Sequence, residues 1–417
     1  MALVKENITM RRGMNSGEMQ KNNRMLVFRT LLENGSMTRT ELASCIGLQK
    51  ATITNIINEF LELGIVGIDG ATAAGRRGEN ISLKIDGIYT MSIGISRKDY
   101  QIGIFALKGK QVKHIRYLFE KNEDIREVMV KLKRDITALF EQYGKKKIIG
   151  ICLAVPGLFI RRNNDECGKF QVSEFEQLGQ INIRKEIEEA AGIPVVMKHD
   201  AKLSAYAEWK NAAEAKEDEN ASLIAICSKG YGIGAGIIVN QKIVEGQVGI
   251  AGEIGHVGIN YNGKNNGHGN TGTFEYCAGT ESAVRYMLER LYEYPDSMLN
   301  EDSTYAEIVE AYKAMDPLAI WAIGKMAWML GYGISGIVYT INPDCVILGR
   351  DYPETEDFLK KVREAVMNFV PEEVGEYLSI RYTELSEDSF LLGGYYYVLE
   401  KMIRENQILD KIREALS

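Results

Sequence analysis

The first ninety residues alternate short amphipathic segments with glycine-containing turns. Residues 19–33 carry apolar side chains at helical spacing, which predicts a helix. The pair Thr38 and Glu41 has the spacing of a capping box and predicts the start of a second helix. Gly47 predicts a tight turn, and a third helix then carries its apolar residues inward until it ends near Gly64.

Two short helices around a glycine turn, preceded by a longer helix, are typical of a helix-turn-helix. The outward positions at the start of the last helix carry short polar side chains and one cation. We expect these to contact DNA, because base edges and phosphates are bound by such groups at the beginning of a recognition helix. They are Gln49, Lys50, Thr52, Thr54 and Asn55.

Two predicted strands follow, at residues 65–69 and 80–85, joined by a glycine-rich loop. Arg76 and Arg77 lie at the tip of that loop, where two guanidinium groups suit the negative potential of a DNA minor groove. Helices and hairpin together predict a winged helix-turn-helix DNA-binding domain over residues 1–87. The alternative is a three-helix structural or dimerisation unit with a solvated basic loop.

From residue 88 the pattern changes to short apolar strands and longer amphipathic helices, so the fold class is α/β. A strand-rich stretch covers residues 221–244, and helices fill much of 279–341 and 389–417. We expect two α/β lobes with a cleft between them. The predicted lobes are approximately 88–199 with the C-terminal helix, and 200–390. Strands are predicted near 90–96, 101–107, 111–118 and 148–155, and a helix near 123–142.

Charge is distributed unevenly along the chain. The net charge is −7, yet residues 1–90 hold 11 Lys and Arg against 9 Asp and Glu. DNA contact is therefore expected in this head alone. The six scattered cysteines form no CxxC pair and indicate reduced thiols. No long apolar run predicts a membrane span, and no apolar segment near the first residue predicts a secretory signal, so we expect a cytoplasmic protein.

A group of carboxylates and imidazoles is the best candidate for a ligand site in the body. Asp200 follows a buried apolar strand and starts a helix, the end of a strand where α/β sheets bind ligands. Glu253, His256 and Glu275 add acceptors suited to a hydroxyl-rich ligand. The alternatives are a simple helix cap for Asp200 and a hydrogen-bonded core histidine for His256.

The stretch from Gly230 to Gly236 is rich in glycine and allows two interpretations. Its backbone amides could cradle phosphates, or the glycines could serve a tight hairpin that another element approaches closely. Because the stretch lies within a strand pair and does not open a helix, it is not a dinucleotide-binding fingerprint.

Several segments resemble the ROK family, named for repressors, open reading frames and kinases. The resemblance covers essentially the whole chain, with a winged head before a sugar-kinase-like body as in the repressor branch. It is carried by AVPG (154–157), HDAKLSAYAE (199–208), GYGIGAGIIVNQKIVEGQVGIAGEIGHVG (230–258) and INPDCVILG (341–349).

The resemblance implies an actin-like, ribonuclease H-like two-lobe body. It makes Asp200 the counterpart of the general base of the family's kinases, although here it is expected to bind ligand without catalysis. Glu253, His256 and Glu275 match the sugar-contacting residues, and His199 stands where the family has an asparagine.

Two further departures from the family pattern concern phosphate and metal. The family's phosphate turn is replaced by Gly94-Ile95-Ser96-Arg97-Lys98-Asp99-Tyr100, so we expect no kinase activity. The zinc-binding cysteine run is replaced over residues 266–273, where His268 remains. Since structural zinc needs four ligands, His256, His268 and Cys277 are an unfavourable set, and we expect no metal and no cofactor.

The main hypothesis is a sugar-responsive transcription regulator, a repressor of carbohydrate-utilisation genes. Its partners would be double-stranded operator DNA, a small sugar-like effector and a second copy in a homodimer or higher homo-oligomer, with no membrane. One alternative is an active ROK sugar kinase with a DNA-binding head. Another is a regulator controlled by a protein partner, with a vestigial sugar pocket.

Overall fold

The computed structural model describes residues 16–69, 79–162, 165–171, 181–218, 220–229, 232–265 and 271–417. The chain folds into two compact units. The first comprises Met1–Leu153, Ile183–Val196 and Gly394–Ser417, and the second comprises Ala154–Asn182 and Met197–Gly393.

The head contains three helices and a three-stranded sheet. The helices are α1 (Ser16–Asn34), α2 (Arg39–Ile46) and α3 (Lys50–Glu62). The strands are β1 (Met37–Thr38), β2 (Val66–Asp69) and β3 (Asn80–Leu83), in the order β1-β3-β2. The winged helix-turn-helix prediction is confirmed at the level of the elements, and only the two-residue β1 was not predicted.

Local chemistry explains where the head's helices begin and end. The Thr38 hydroxyl accepts from the Glu41 N–H, and the Glu41 carboxylate accepts from the Thr38 N–H, which completes the predicted capping box. Gly47 ends α2 with a φ of 77°, a conformation that glycine adopts without strain. Three side chains of α3, Ile53, Ile57 and Phe60, are fully buried and fix which face of that helix points outward.

The first unit also holds a five-stranded sheet in the order β10-β7-β4-β5-β6. Its strands are β4 (Tyr89–Ile95), β5 (Asp99–Ala106), β6 (Gln111–Leu118), β7 (Ile148–Val155) and β10 (Val195–His199), the last of which continues into the second unit. Every residue of β7 is buried, as its continuous apolar sequence predicts. A hairpin that was not predicted joins β8 (Leu158–Arg162) to β9 (Asp165–Gln171).

The second unit is built on another five-stranded sheet, in the order β13-β12-β11-β14-β15. Its strands are β11 (Leu223–Lys229), β12 (Gly232–Val239), β13 (Lys242–Ile243), β14 (Cys345–Leu348) and β15 (Ser379–Tyr382). In both sheets the three strands that come first in the chain form an antiparallel meander. The fourth strand in chain order lies next to the first, and the fifth lies next to the fourth. The two sheets thus repeat one strand order, which indicates an internal duplication that the sequence does not reveal. It is the actin-like arrangement that we expected.

The described residues outside the head also form twelve α-helices. They are α4 (Ile125–Tyr143), α5 (Ile183–Ala191), α6 (Asp200–Asn211), α7 (Ala213–Glu217), α8 (Phe274–Ala278), α9 (Thr280–Arg290), α10 (Tyr305–Lys313), α11 (Pro317–Ile341), α12 (Glu356–Met367), α13 (Glu372–Gly375), α14 (Ser389–Arg404) and α15 (Ile408–Leu416). Among the described residues, no helix has the length and apolar character needed to cross a membrane.

The core of the second unit forms around α11. Apolar side chains of this helix, including Met326, Leu330 and Ile334, are fully buried in one cluster with Ile224 and Val346 of the sheet. Asp316 caps the helix by accepting from the N–H groups of Leu318 and Ala319. Gly331 allows the approach of α12, since a β-carbon there would lie 2.8 Å from the Val362 carbonyl oxygen.

Candidate functional site

The outward face of α3 presents the polar residues that the sequence singled out. Gln49, Lys50 and Asn55 are exposed, while Thr52 and Thr54 are partly buried. The Thr54 hydroxyl donates to the Lys50 carbonyl oxygen at 2.9 Å, so it satisfies the helix's own backbone. The exposed set leaves one cation and two amides available to a partner that lies along this face.

The wing is described at its base. The strands β2 and β3 pair antiparallel, with Asp69 opposite Asn80 at the end of the ladder, and the Lys84 ammonium lies 3.0 Å from the Asp69 carboxylate. Arg76 and Arg77 lie outside the described residues. Their proposed contact with DNA therefore stays a prediction.

Asp200 lies where the sequence places it, directly after β10 and as the first residue of α6. The N-cap position of α6 is His199, and the Asp200 carboxylate also accepts from an N–H of the first turn, as the helix-cap alternative predicts. The Ala201 N–H lies 2.7 Å from Asp200 Oδ1 and 3.1 Å from His199 Nδ1. A carboxylate is stabilised here by the positive end of the helix dipole.

Two imidazole–carboxylate contacts join four of the five candidate residues into two pairs. His199 Nε2 lies 3.8 Å from Glu253 Oε1, and His256 Nδ1 lies 3.5 Å from Glu275 Oε1. A β-carbon on Gly234 would lie 3.9 Å from His199 Cε1, and one on Gly232 would lie 3.8 Å from Glu275 Oε2. Since positions two apart on a strand face the same side, both pairs lie over one face of β12.

Exposure differs within this group. The side chains of His199, Asp200, Glu253 and Glu275 are 10 to 21% exposed, whereas that of His256 is 46% exposed. The core-histidine alternative for His256 is therefore not what the structure shows. Three partly buried carboxylates beside a solvent-reached imidazole form a surface rich in acceptors, which suits a ligand that presents several hydroxyl donors.

The glycines of β12 serve close packing against α6. A β-carbon on Gly236 would lie 2.3 Å from Ala205 Cβ and 2.8 Å from the Ala201 carbonyl oxygen. One on Gly255, in the short 3-10 turn Ile254–His256, would lie 2.3 Å from the Ile233 carbonyl oxygen. Of the two interpretations of the glycine-rich stretch, this geometry supports the close approach of a neighbouring element.

The described part of the chain offers little evidence for a metal site. It contains no group of three or more His, Cys, Asp or Glu side chains placed to hold one. Burial raises the pKa of the Cys277 thiol and outweighs the opposing charges of Arg285 and Lys325, which disfavours the thiolate that a metal requires. His268 lies outside the described residues.

The turn between β4 and β5 is closed by its own side chains. The Ser96 hydroxyl donates to the buried Asp99 carboxylate and accepts from the N–H groups of Lys98 and Asp99. The Arg116 guanidinium contacts the same carboxylate at 2.6 Å. The backbone amides that would have to point at a phosphate are therefore directed partly to Ser96.

Two lysines beside the candidate site were not recognised in the sequence. Lys198 and Lys202 are 8% and 4% exposed, which is unusual for this residue type. The Lys198 ammonium lies 2.5 Å from the Glu245 carboxylate, and the Lys202 ammonium donates to the Gly249 carbonyl oxygen. The sequence signal that could have found them is one lysine, Lys198, at the end of a buried strand and another, Lys202, on the side of α6 that faces the sheet.

Comparison with known proteins supplies the class. The sequence profile of the ROK family matches residues 90–401. The chain therefore belongs to the ROK family, with a winged helix-turn-helix in front of the family's body.

Individual relatives extend the likeness over the head. The xylose repressor of Caldicellulosiruptor bescii is 27% identical over 405 residues, covering 91% of this chain and 96% of the relative. The N-acetylglucosamine repressor of Escherichia coli is 26% identical and covers 83% of this chain and 84% of the relative. The structure resembles that of a ROK family transcriptional regulator, a homologue of the E. coli MLC protein, with a TM-score of 0.78, 21% identity and coverage of 95% and 99%.

Proposed function

We propose that this protein is a sugar-responsive DNA-binding transcription regulator that represses carbohydrate-utilisation genes. The observation that carries the proposal is the combination, in one chain, of a winged helix-turn-helix head and an acceptor-rich group at the start of α6. Relatives that span both parts are named as repressors for xylose and for N-acetylglucosamine. A DNA-binding regulator acts where the DNA is, so the proposal includes a cytoplasmic location.

In this proposal the head binds an operator half-site through α3. Lys50 would contact a phosphate, and Gln49 and Asn55 would contact base edges, since amides and short polar side chains supply paired donors and acceptors. Arg76 and Arg77 would enter the adjacent minor groove. A homodimer or higher homo-oligomer follows from the same reasoning, because a single recognition helix reads one half of a palindromic operator.

The effector site is proposed at His199, Asp200, Glu253, His256 and Glu275. Carboxylates accept hydrogen bonds and donate none when ionised, so their natural partner is a ligand with several hydroxyl donors, as in a monosaccharide. The His199 imidazole lies between the two carboxylates, with Nδ1 3.2 Å from Asp200 Oδ1 and Nε2 3.8 Å from Glu253 Oε1. Binding is proposed to occur without phosphoryl transfer.

The absence of kinase activity is proposed from the β4–β5 turn. A kinase needs backbone amides and a metal partner at the phosphates, but Ser96 and Asp99 are bonded to each other and to the turn. Purified protein should release no sugar-dependent ADP above background. Turnover on the order of 1–100 per second would refute this part of the proposal.

The central test measures operator binding and sugar binding on the same preparation. The full chain is titrated with its own upstream DNA, with and without D-xylose, N-acetylglucosamine or D-glucose, and the melting temperature is followed with each sugar. We expect specific DNA binding that one of the sugars changes. Asp200→Ala should abolish the sugar effect and preserve DNA binding without sugar, while Lys242→Met, an exposed substitution on β13, should change neither.

Each part of the proposal can fail separately. Equal affinity for upstream and random DNA would refute the regulatory role of the head. Specific DNA binding that no sugar affects would refute the effector site and favour control by a protein partner.

A further inference from the structure

Two buried ammonium groups lie on either side of the proposed effector residues His199 and Asp200. Lys198 is the residue before them on β10, and Lys202 follows half a turn into α6. Both side chains are almost completely removed from solvent. A lysine in such a place is expensive unless its charge is compensated, so each must have a partner that the fold maintains.

Both partners belong to one segment of the second unit. Lys198 contacts the carboxylate of Glu245, and Lys202 donates to the carbonyl oxygen of Gly249. The same segment continues to Glu253, one of the proposed effector residues. Two charged contacts, separated by four residues in the segment, therefore connect it to the elements that carry Asp200.

The segment turns at three glycines and bonds to itself through the Ala251 N–H, which donates to the Glu245 carbonyl oxygen, and the Glu253 N–H, which donates to the Ile250 carbonyl oxygen. Gly246, Gly249 and Gly252 have φ values of 67°, 89° and 93°, in the left-handed region. Ile250 is 44% exposed and contributes little to a core. A stretch with three such glycines and little apolar burial is ordered chiefly by the hydrogen bonds and ion pairs of its backbone and polar side chains.

Gly252 lies directly before Glu253 and makes the close contacts that link the segment to its neighbours. A β-carbon on Gly252 would lie 2.9 Å from the Ala235 carbonyl oxygen of β12 and 3.8 Å from Lys202 Cε. The backbone thus passes close to both β12 and the Lys202 side chain just before Glu253. Lys202 thus lies close to the residue that precedes Glu253, whose carboxylate faces His199.

We propose that Lys198 and Lys202 are positioning residues that hold the segment 245–253 and thereby fix Glu253 beside His199 and Asp200. Neither lysine is proposed to touch the effector. The inference rests on the proposed function for the identity of the ligand, but the order of the segment is a property of the protein without ligand.

The test uses the full chain with Lys202→Met and Lys198→Met, each of which replaces an ammonium by an apolar side chain of similar length. Lys198→Met alone removes one partner of a buried ion pair and should cost stability, whereas removing both charges of such a pair is often neutral or stabilising, so the melting temperature of each variant is measured first and the double variant below is the one expected to keep its stability. Lys242→Met is the matched control, since Lys242 is exposed and also belongs to the second unit. A double variant, Lys198→Met with Glu245→Met, removes both charges of that contact.

The first measurement is hydrogen–deuterium exchange in the absence of sugar. We expect exchange in residues 246–253 to become at least about tenfold faster in Lys202→Met, with exchange in α11 unchanged, because the opening is local. The second is calorimetry with D-xylose and with N-acetylglucosamine. For the sugar that binds the wild type, Kd should rise at least about tenfold, and the melting temperature of the double variant without sugar should stay within about 3 °C.

Unchanged exchange in residues 246–253 for both single variants would overturn the inference. So would faster exchange spread evenly over the second unit, which would mark the lysines as general stabilisers. If the wild type binds neither of these sugars nor D-glucose, the effector proposal fails, and the exchange result still decides whether the lysines hold the segment. Faster local exchange with unchanged sugar affinity would refute the positioning of Glu253.

Discussion

Replacing Gly236 with alanine tests whether the glycine-rich strand serves packing. The added β-carbon would lie 2.3 Å from Ala205 Cβ, 2.8 Å from the Ala201 carbonyl oxygen and 2.9 Å from Lys202 Cα. Carbon atoms in proteins prefer about 3.5–4.0 Å, so α6 would have to move away from β12 by roughly 1 Å. Overpacking costs about 1–3 kcal/mol, and the upper end applies here because two of the three opposing atoms are backbone.

The assay is urea denaturation of the full chain, followed by sugar binding to the folded variant. We expect Gly236→Ala to lower the free energy of unfolding by about 3 kcal/mol and to weaken effector binding, because α6 begins at Asp200. Gly324→Ala is the matched control: nothing lies within 4 Å of its β-carbon in helix α11, so it should stabilise by about 0.5–1 kcal/mol. Adding Ala205→Gly to Gly236→Ala should recover part of the loss.

A change within about 0.5 kcal/mol of wild type for Gly236→Ala would refute the packing interpretation. If the variant kept its stability and lost binding of an anion such as phosphate, the alternative interpretation as a phosphate cradle would be supported. Loss of stability without recovery in the double variant would locate the clash at the backbone atoms of α6, the Ala201 carbonyl oxygen and Lys202 Cα.

Three further predictions concern the head and the capping of α11. Asn55→Ala should reduce affinity for the upstream DNA more than for random DNA, and equal losses in a filter-binding titration would contradict a base contact. Arg76→Ala with Arg77→Ala should lower the slope of log K against log salt by about one unit per lost phosphate contact, and an unchanged slope would leave the wing without a role in binding. Burial raises the pKa of Asp316, but bonds from the Ala319 and Met298 N–H groups and the Ser297 hydroxyl outweigh it, so the folded-state pKa lies below the ordinary 3.8. Its stabilisation is full above that value and is lost as pH falls through the folded-state pKa, so Asp316→Ala should cost about 2–4 kcal/mol at pH 7 and flatten the decline of the melting temperature below about pH 4. Asp316→Asn should also flatten that decline but cost less than Asp316→Ala, because its amide oxygen still accepts from the helix N–H groups while its NH2 group replaces the oxygen that accepts from the Met298 N–H.

The head could be predicted in detail because its signals are local. A capping box depends on two residues three apart, and the turn at Gly47 on one residue, so Thr38, Glu41 and Gly47 do in the structure what their spacing predicts. The strand β1 was missed because its two residues form a strand only through pairing with Ile81 and Asn80, which lie more than forty residues further on. No local pattern encodes such a partner.

The candidate site shows the same limit at the level of side chains. The pattern of carboxylates and imidazoles, together with the resemblance to the ROK family, indicated the five residues, but not their pairing: Glu253 and His256 are three apart in sequence, yet Glu253 faces His199 and His256 faces Glu275. Lys198 and Glu245 are separated by 47 residues, and no sequence feature of either segment indicates that the two side chains pair. A buried lysine can be suspected from its place on an apolar strand, but its partner is decided by how β12 brings the segment 245–253 back over α6. Lys202 and Glu245 lie within the segments that resemble the family, yet neither was singled out as a site residue, so the sequence resemblance alone does not separate a ligand contact from a residue that holds the site in place.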